Sequence, residues 1–451
     1  MSSQRASVLS LKRSASSIFR FWAPLAATWV MMASEGPFVA AVIARLADAK
    51  FNLAAYGVAF AFAILIESPV IMLMSASTAL AEDSETYRKL KHFTHGLNAL
   101  ATGLLLLVLI PPVYHWLMDT LIGLPEEVAD LTYGALWIFL PWAAAIGYRR
   151  FVQGLLIRSG RTRLVALGTV VRLSTMAVTA LILYWRFSLP GAWVGAAALT
   201  TGVCMEAVAA RFMATATIRE LLATDRPSSG ASEPLGYGAI ARFYYPLALT
   251  SLIGLTVQPL LTFFMGRALS PIESLAVFPV VHALSFLFRS LGLSFQEAAL
   301  ALMGGRHEHF PELARFGLWL GLATSASLGL VAFTPMASVW FGTISGLTPE
   351  LVAFALAPTR LLVPLPALSV LLSLQRAVLI QSRRTHPITV ATSIEVTGVA
   401  ILFATFGWGL DFVGVTAAII AFLGGRLAGV LYLIRSSLEV LRASGYDRSR
   451  S

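Results

Sequence analysis

The chain has 451 residues, 57% of them hydrophobic and 12% charged, with a mean hydropathy of +0.77, and this is too apolar for a water-soluble fold. The formal net charge of +10 does not point to nucleic acid, because the basic residues collect in short connections between apolar runs rather than on a soluble surface. The single cysteine, Cys204, lies in an apolar stretch and excludes a disulfide framework or a thiolate metal site.

The N-terminal stretch 1–19 is basic, lacks the apolar core of a signal peptide, and is expected to be a cytosolic, interfacial segment. A membrane span needs about 20 apolar residues. That criterion predicts twelve: 20–45, 53–80, 94–117, 131–157, 164–185, 190–214, 241–266, 273–303, 315–335, 351–380, 388–408 and 412–434. The even-numbered connections carry the basic clusters, such as Arg88, Lys89 and Lys91, Arg158, Arg161 and Arg163, Arg219 and Arg226, Arg306 and Arg315, and Arg383 and Arg384. The third connection carries Asp119, Glu126, Glu127 and Asp130. Both termini, with the tail 435–451, are therefore expected in the cytosol, and the protein is expected in the inner membrane of a bacterium.

Near mid-chain the stretch 223–240 is rich in Pro, Gly and Ser and reads as a cytosolic linker. The sequence repeats across it. RFWAPLAATW at 20–29 is answered by RFYYPLALTS at 242–251, with Pro24 and Pro246 separated by 222 positions. QGLLIRSGRT at 153–162 is answered by RAVLIQSRRT at 376–385, with an offset of 223. The reading is two six-helix halves, 20–222 and 241–434, in parallel orientation because each contains an even number of spans. Such duplication points to a transporter with its site between the halves.

Ionisable residues interrupt the apolar runs: Glu35, Glu67, Glu206, Glu297 and Glu395, with Arg149, Arg150, Arg172, Arg289, Arg360, Arg376 and Arg426, and the neutral polar His282 and Gln258. A charge at the bilayer centre costs about 2.5 to 3.5 kcal/mol on insertion scales, so these groups must face a watery interior or one another. Arg45, Arg211 and Arg267 lie near span ends and are expected to snorkel to the headgroups. Arg376 and Arg426 either do the same or lock one side shut by pairing with a carboxylate. Glu395 sits 223 positions after Arg172, which raises an ion pair between the halves; Glu206 is either a structural partner or functional, and His282 either a satisfied core residue or a proton relay.

Prolines at 37, 69, 358, 364 and 366 adjoin these charges, and mark bent helices either lining a cavity or merely packed. No nucleophile elbow, metal-binding HExxH, Walker loop or dinucleotide turn is found, so neither an enzyme nor a cofactor is expected. The His pair in RHEHF at 306–310 reads as a solvated turn. Guanidiniums pair with carboxylate or phosphate oxygens, which makes Arg149, Arg150, Arg289 and Arg360 candidate anion contacts. A cation exporter would use Glu35, Glu67 and aromatic walls instead.

LAAYGVAFAF at 53–62, FLPWAAAIGYRRFVQGLLIRSGRTR at 139–163, FYYPLAL at 243–249 with QPLLTFFMGRALS at 258–270, and APTRLLVPLP at 357–366 resemble the progressive ankylosis protein family. That family is a branch of the multidrug, oligosaccharidyl-lipid and polysaccharide (MOP) superfamily, with the multidrug and toxin extrusion (MATE) proteins. The resemblance implies two bundles around a V-shaped central cavity, alternating access, and efflux of small anions such as pyrophosphate, ATP or citrate. Arg360 matches a proline-flanked basic position of the family, whereas Gln258, before Pro259, replaces a basic residue.

The expectation is thus an exporter of a small anion, secondary or facilitative, embedded in membrane lipid and coupled to a proton or cation. Arg149, Arg150, Arg289, Arg360, Gln258 and His282 are placed at the substrate; Glu35, Glu67, Glu297, Glu395, Arg172 and Arg376 at coupling or gating. The alternatives are a proton-coupled exporter of organic cations and a flippase for a lipid-linked pyrophosphate.

Overall fold

The computed structural model describes residues 15–223, 236–304, 307–382 and 384–443. The expectations placed on residues 1–14, on most of the linker, on Arg306 and Arg383, and on the tail beyond Ala443 lie outside the described residues. Within them the chain is helical, with no strand beyond an isolated bridge between Leu269 and Val413. Hydrocarbon offers no water to backbone amides, and a helix closes its hydrogen bonds within one segment.

Among the described residues ten helices are long and apolar enough to cross a membrane, or up to twelve where each of two bent pairs counts as one span. In the first half these are α1 (Ala15–Ala33) with α2 (Glu35–Ile43), α3 (Ala49–Glu67) continued by α4 (Leu73–Leu80), α5 (Ser84–Val108) bent into α6 (Pro111–His115), α7 (Glu126–Ile138) with α8 (Trp142–Arg158), α9 (Thr162–Arg186) and α10 (Gly191–Met213), followed by the short α11 (Thr215–Leu222). The second half runs through α12 (Tyr237–Leu255) with α13 (Val257–Gly266), α14 (Pro271–Leu302), α15 (Phe310–Phe333), α16 (Met336–Ser338), α17 (Pro349–Leu361) with α18 (Leu365–Gln381), α19 (His386–Phe403) and α20 (Gly414–Ala443). The first span begins at Ala15, earlier than hydropathy indicated, and the last helix runs on to Ala443.

Proline explains both sharp bends. Pro111 and Pro112 open α6 at 74° to α5, and Pro364 stands at the 43° break between α17 and α18. Pro24 and Pro246 sit inside α1 and α12 without ending them. After α6 and α16 the chain passes into π-helical turns, Trp116–Ile122 and Val339–Ile344, both in odd-numbered connections.

The repeat is visible in the joints. The Asn52 side chain accepts from the Ala192 backbone N–H at 2.9 Å, and Ser274 accepts from that of Val415 at 3.0 Å. These residues are equivalent at offsets of 222 and 223. The local axis runs between α3 and α14, where Gly57 meets its own equivalent, Pro279: a Cβ there would lie 2.7 Å from the proline Cγ. Only a glycine permits this approach.

One element breaks the symmetry. α1 lies along α14 of the other half, where Trp22 Nε1 donates to Ser294 Oγ at 2.8 Å and Trp29 Nε1 donates to Glu297 at 3.1 Å. Ile18, Trp22 and Ala26 join the core built on Phe295, Ala298 and Leu313. Its counterpart α12 reaches the first half through Tyr244, whose hydroxyl donates to the Pro69 carbonyl and whose ring meets Phe93 edge-on at 5.2 Å.

His307 corrects the solvated-turn reading of 306–310. It is buried, with Nε2 3.2 Å from Ser382 Oγ, because the loop folds back onto the end of α18.

Candidate functional site

In the first half four of the intramembrane charges, Glu35, Arg149, Arg172 and Glu206, satisfy one another. Glu35 opens α2 directly after the break at Ser34, and its carboxylate accepts from Arg172 on α9 through Nε at 2.9 Å and through Nη2. Arg149 and Gln153 stand one turn apart on α8 and so share a face. Both donate to Glu206 on α10, at 2.6 and 3.1 Å, and Arg172 approaches the same carboxylate at 3.7 Å. Glu206 has no exposed surface and Arg149 is 4% exposed, so the cluster ties α2, α8, α9 and α10 together with its charges matched in hydrocarbon. Glu206 has the helix partners that its structural reading requires.

Glu67, the last residue of α3, is met differently. Its carboxylate accepts from Trp142 Nε1 at 2.5 Å, and no guanidinium lies within salt-bridge distance among the described residues. The neighbouring Arg150 has only the Met74 sulfur at 3.8 Å, and its Nε has no partner.

The second half holds a cluster of the opposite balance. Arg289 on α14, Arg376 on α18 and Arg426 on α20 lie in electrostatic range of one carboxylate, Glu395 on α19. Glu395 is bound by Arg426, through Nε at 2.8 Å and Nη2 at 2.7 Å. The Nε atoms of Arg289 and Arg376 have no hydrogen-bond partner. Phe422 is stacked between charges, 5.0 Å from the Arg289 guanidinium and 5.5 Å from that of Arg426. Arg289 Nη1 lies 3.4 Å from His282 Nε2, and Gln258 lies 3.3 Å from His282 Nδ1. Since a guanidinium can only donate, His282 accepts from Arg289 at Nε2, and it is the Gln258 amide nitrogen that faces the other ring nitrogen.

Several expectations are corrected. Arg172 and Glu395 do not pair across the halves: each is taken by a partner in its own half, Glu35 and Arg426. Arg149 is engaged by Glu206. Arg360 is exposed on the outer side of α17, with Nε 3.4 Å from the Ala332 carbonyl and its guanidinium 5.8 Å from the Phe333 ring of α15, so it does not join the Arg289 cluster. Glu297 faces Trp29 of α1 and not these arginines. Arg211 meets Thr215 at its own helix end, whereas Arg45 and Arg267 reach across to the opposite half. Sequence reasoning missed Trp142, Gln153 and Phe422, which contact the charged groups; a tryptophan, glutamine or phenylalanine in a transmembrane run carries no mark of its neighbour.

No family model matches the chain, and no curated protein matches it in sequence. Solved structures do match. The chain is similar to an inward-facing multidrug resistance MATE family transporter of the MOP superfamily, with 14% identity over 93% of this chain and 96% of the other at a TM-score of 0.69. It is similar to the lipid II flippase MurJ in an inward closed conformation, with 15% identity, 93% and 90% coverage and a TM-score of 0.72. A MOP superfamily transporter from Pyrococcus furiosus, described as having a binding pocket of reversed polarity, matches with 16% identity, 96% and 97% coverage and a TM-score of 0.62. At these identities the likeness is one of fold, and the chain has the two-bundle architecture of the MATE and MOP-superfamily transporters.

Proposed function

We propose that the protein is a secondary transporter that exports an anion bearing phosphate or carboxylate oxygens, by rocking of its two halves, with Arg289 and Arg376 as the anion contacts. The observation that carries this reading is the unbalanced charge of the second half: three guanidiniums, Arg289 buried and Arg376 and Arg426 largely so, lie around one carboxylate, and two of them keep an unpartnered Nε. Unmatched positive charge in hydrocarbon is stabilised by an anion, and the planar guanidinium fork fits phosphate or carboxylate oxygens. His282 lies against Arg289, and Gln258 against His282.

The cation reading is weaker because Glu35, one of the two carboxylates that would hold the cation, is already occupied by Arg172, which leaves only Glu67 for it. Glu67, bound by an indole alone, is the carboxylate placed to exchange a proton during transport. The progressive ankylosis assignment loses the support of Arg360, which points away from the cluster. A lipid-linked pyrophosphate offers the cluster the same chemistry as a soluble diphosphate. Basic even-numbered connections favour a cytosolic location for the face that bears them.

The test is thermal stabilisation of the purified protein by pyrophosphate, citrate and ATP, by a polyprenyl pyrophosphate carried in the micelle, and by lipophilic cations. Saturable stabilisation by an anion, lost in Arg289→Ala and Arg376→Ala, supports the reading and separates the soluble from the lipid-linked source. Stabilisation by cations alone refutes it.

A further inference from the structure

The first and seventh spans both end in an arginine on the face that bears the odd-numbered connections. Arg45 follows α2 and Arg267 follows α13, 222 positions apart. Each crosses to the other half. Arg45 Nη2 donates to the carbonyls of Thr343 and Ile344 at 2.7 and 2.8 Å, while its Nη1 holds the Ala41 carbonyl of its own helix at 2.7 Å. Arg267 donates through Nε to the Leu121 carbonyl at 2.7 Å and through Nη2 to the Thr120 carbonyl.

The acceptors are equivalent as well. Thr120 and Leu121 correspond to Thr343 and Ile344 at an offset of 223, in the segments TLIGLPE at 120–126 and TISGLTPE at 343–350. Both pairs lie within the last three residues of a π-helical turn, and a glycine in the left-handed region follows within two residues, Gly123 at φ 80° and Gly346 at φ 75°. A helix end leaves its last carbonyls without donors and carries partial negative charge, and the guanidinium supplies several donors in one plane. A third contact joins the halves on this face: Lys50 pairs with Glu273 and lies 3.8 Å from Glu350.

We propose that Arg45 and Arg267 are a reciprocal pair of latches: each half lends an arginine to cap the other half's π-helical turn, and both must release for this face to open. The proposal rests on the rocking motion put forward above. Because each arginine caps a turn in the opposite half, moving the halves apart breaks both sets of hydrogen bonds together. Closing restores them in register.

The experiment uses the full chain carrying Cys204→Ser and spin labels at exposed, repeat-equivalent positions. One pair, Ser188→Cys with Asp411→Cys, reports on the latched face, and the other, Thr162→Cys with Thr385→Cys, on the opposite face. Electron–electron distance measurement gives the open and closed populations of each. Hydrogen bonds to a charged donor at a solvated surface set the scale, and each of Arg45→Ala and Arg267→Ala is expected to raise the ratio of open to closed on the latched face by roughly three- to tenfold. The double variant is expected to approach the product of the two. Arg45→Lys and Arg267→Lys, which keep charge and fold but not the planar fork, are expected to open the face as well, by less. If the parent shifts reciprocally on the two faces as anion is added and the double alanine variant keeps the parent's distribution, the latch is overturned and the rocking motion stands. If neither label pair moves in any protein with any ligand, both fall.

Discussion

Glu206→Gln tests whether the first half is held together by matched buried charge. Glutamine keeps the volume and can still accept a hydrogen bond, so the change isolates the charge. In the parent, Glu206 binds Arg149 at 2.6 Å with side-chain exposures of 0% and 5%, and Arg172 approaches at 3.7 Å. Without it, Arg149 loses its partner and Arg172 is left with Glu35 alone. Removing one member of a buried pair costs about 3 to 5 kcal/mol, whereas a hydrogen bond between membrane helices averages about 0.6 kcal/mol, so the size of the loss separates the two causes. A loss of 4 kcal/mol corresponds to about a thousandfold shift in the unfolding equilibrium. The assay is reversible unfolding by dodecyl sulfate in mixed micelles, applied to Glu206→Gln, Arg149→Gln and the double variant. Each single change is expected to lose about 3 to 5 kcal/mol, and the double about 1.5 kcal/mol or more less than their sum. Single losses below about 1 kcal/mol, or strict additivity, would refute the argument, because they would mean that water already reaches these groups.

The same titration checks the remaining predictions. Trp142→Phe removes the donor 2.5 Å from Glu67 and leaves a buried carboxylate without its hydrogen bond, with an expected loss of about 1.5 to 3 kcal/mol that Glu67→Gln in the same chain reduces. Gly154→Ala forces α4 from α8, since its Cβ would lie 1.8 Å from Ser77 Oγ and 2.4 Å from the Met74 carbonyl, and about 1 to 3 kcal/mol is expected to be lost. Gly103→Ala, with nothing within 4 Å, serves as the contrast and is expected to stabilise α5 by up to about 1 kcal/mol. Equal effects at the two glycines would contradict the packing described for α8.

The ten to twelve candidate spans were legible because their signal is length and hydropathy, which the bilayer imposes on each segment separately. The repeat was legible for a related reason: Pro24 and Pro246 occupy corresponding turns of two helices that fold alike. That charges such as Glu35 and Arg172 would turn from lipid followed from the energy of burying them, and they do. Which partner each would find was not legible. Glu35 meets Arg172 137 positions away because the rotation of α2 against α9 is set by all the residues packed around them. The same rotation turns Arg360 outward on α17, although its proline-flanked setting resembled a substrate position. Arg45 and Arg267 looked like headgroup anchors because snorkelling needs only a span end, whereas their actual acceptors are backbone carbonyls, which any residue possesses.

The exchange of α1 onto α14 has a consequence for how the protein is made. Trp22 is separated from Ser294 by 272 positions, and Trp29 from Glu297 by 268. At about 5 to 20 residues per second, the ribosome needs roughly 15 to 50 seconds after α1 emerges to deliver its partner. During that interval the apolar face of Ile18, Trp22 and Ala26 has only lipid or the insertion machinery to lie against. The first half therefore cannot reach its final packing on its own, and insertion is completed only when the second half captures the helix with which synthesis began.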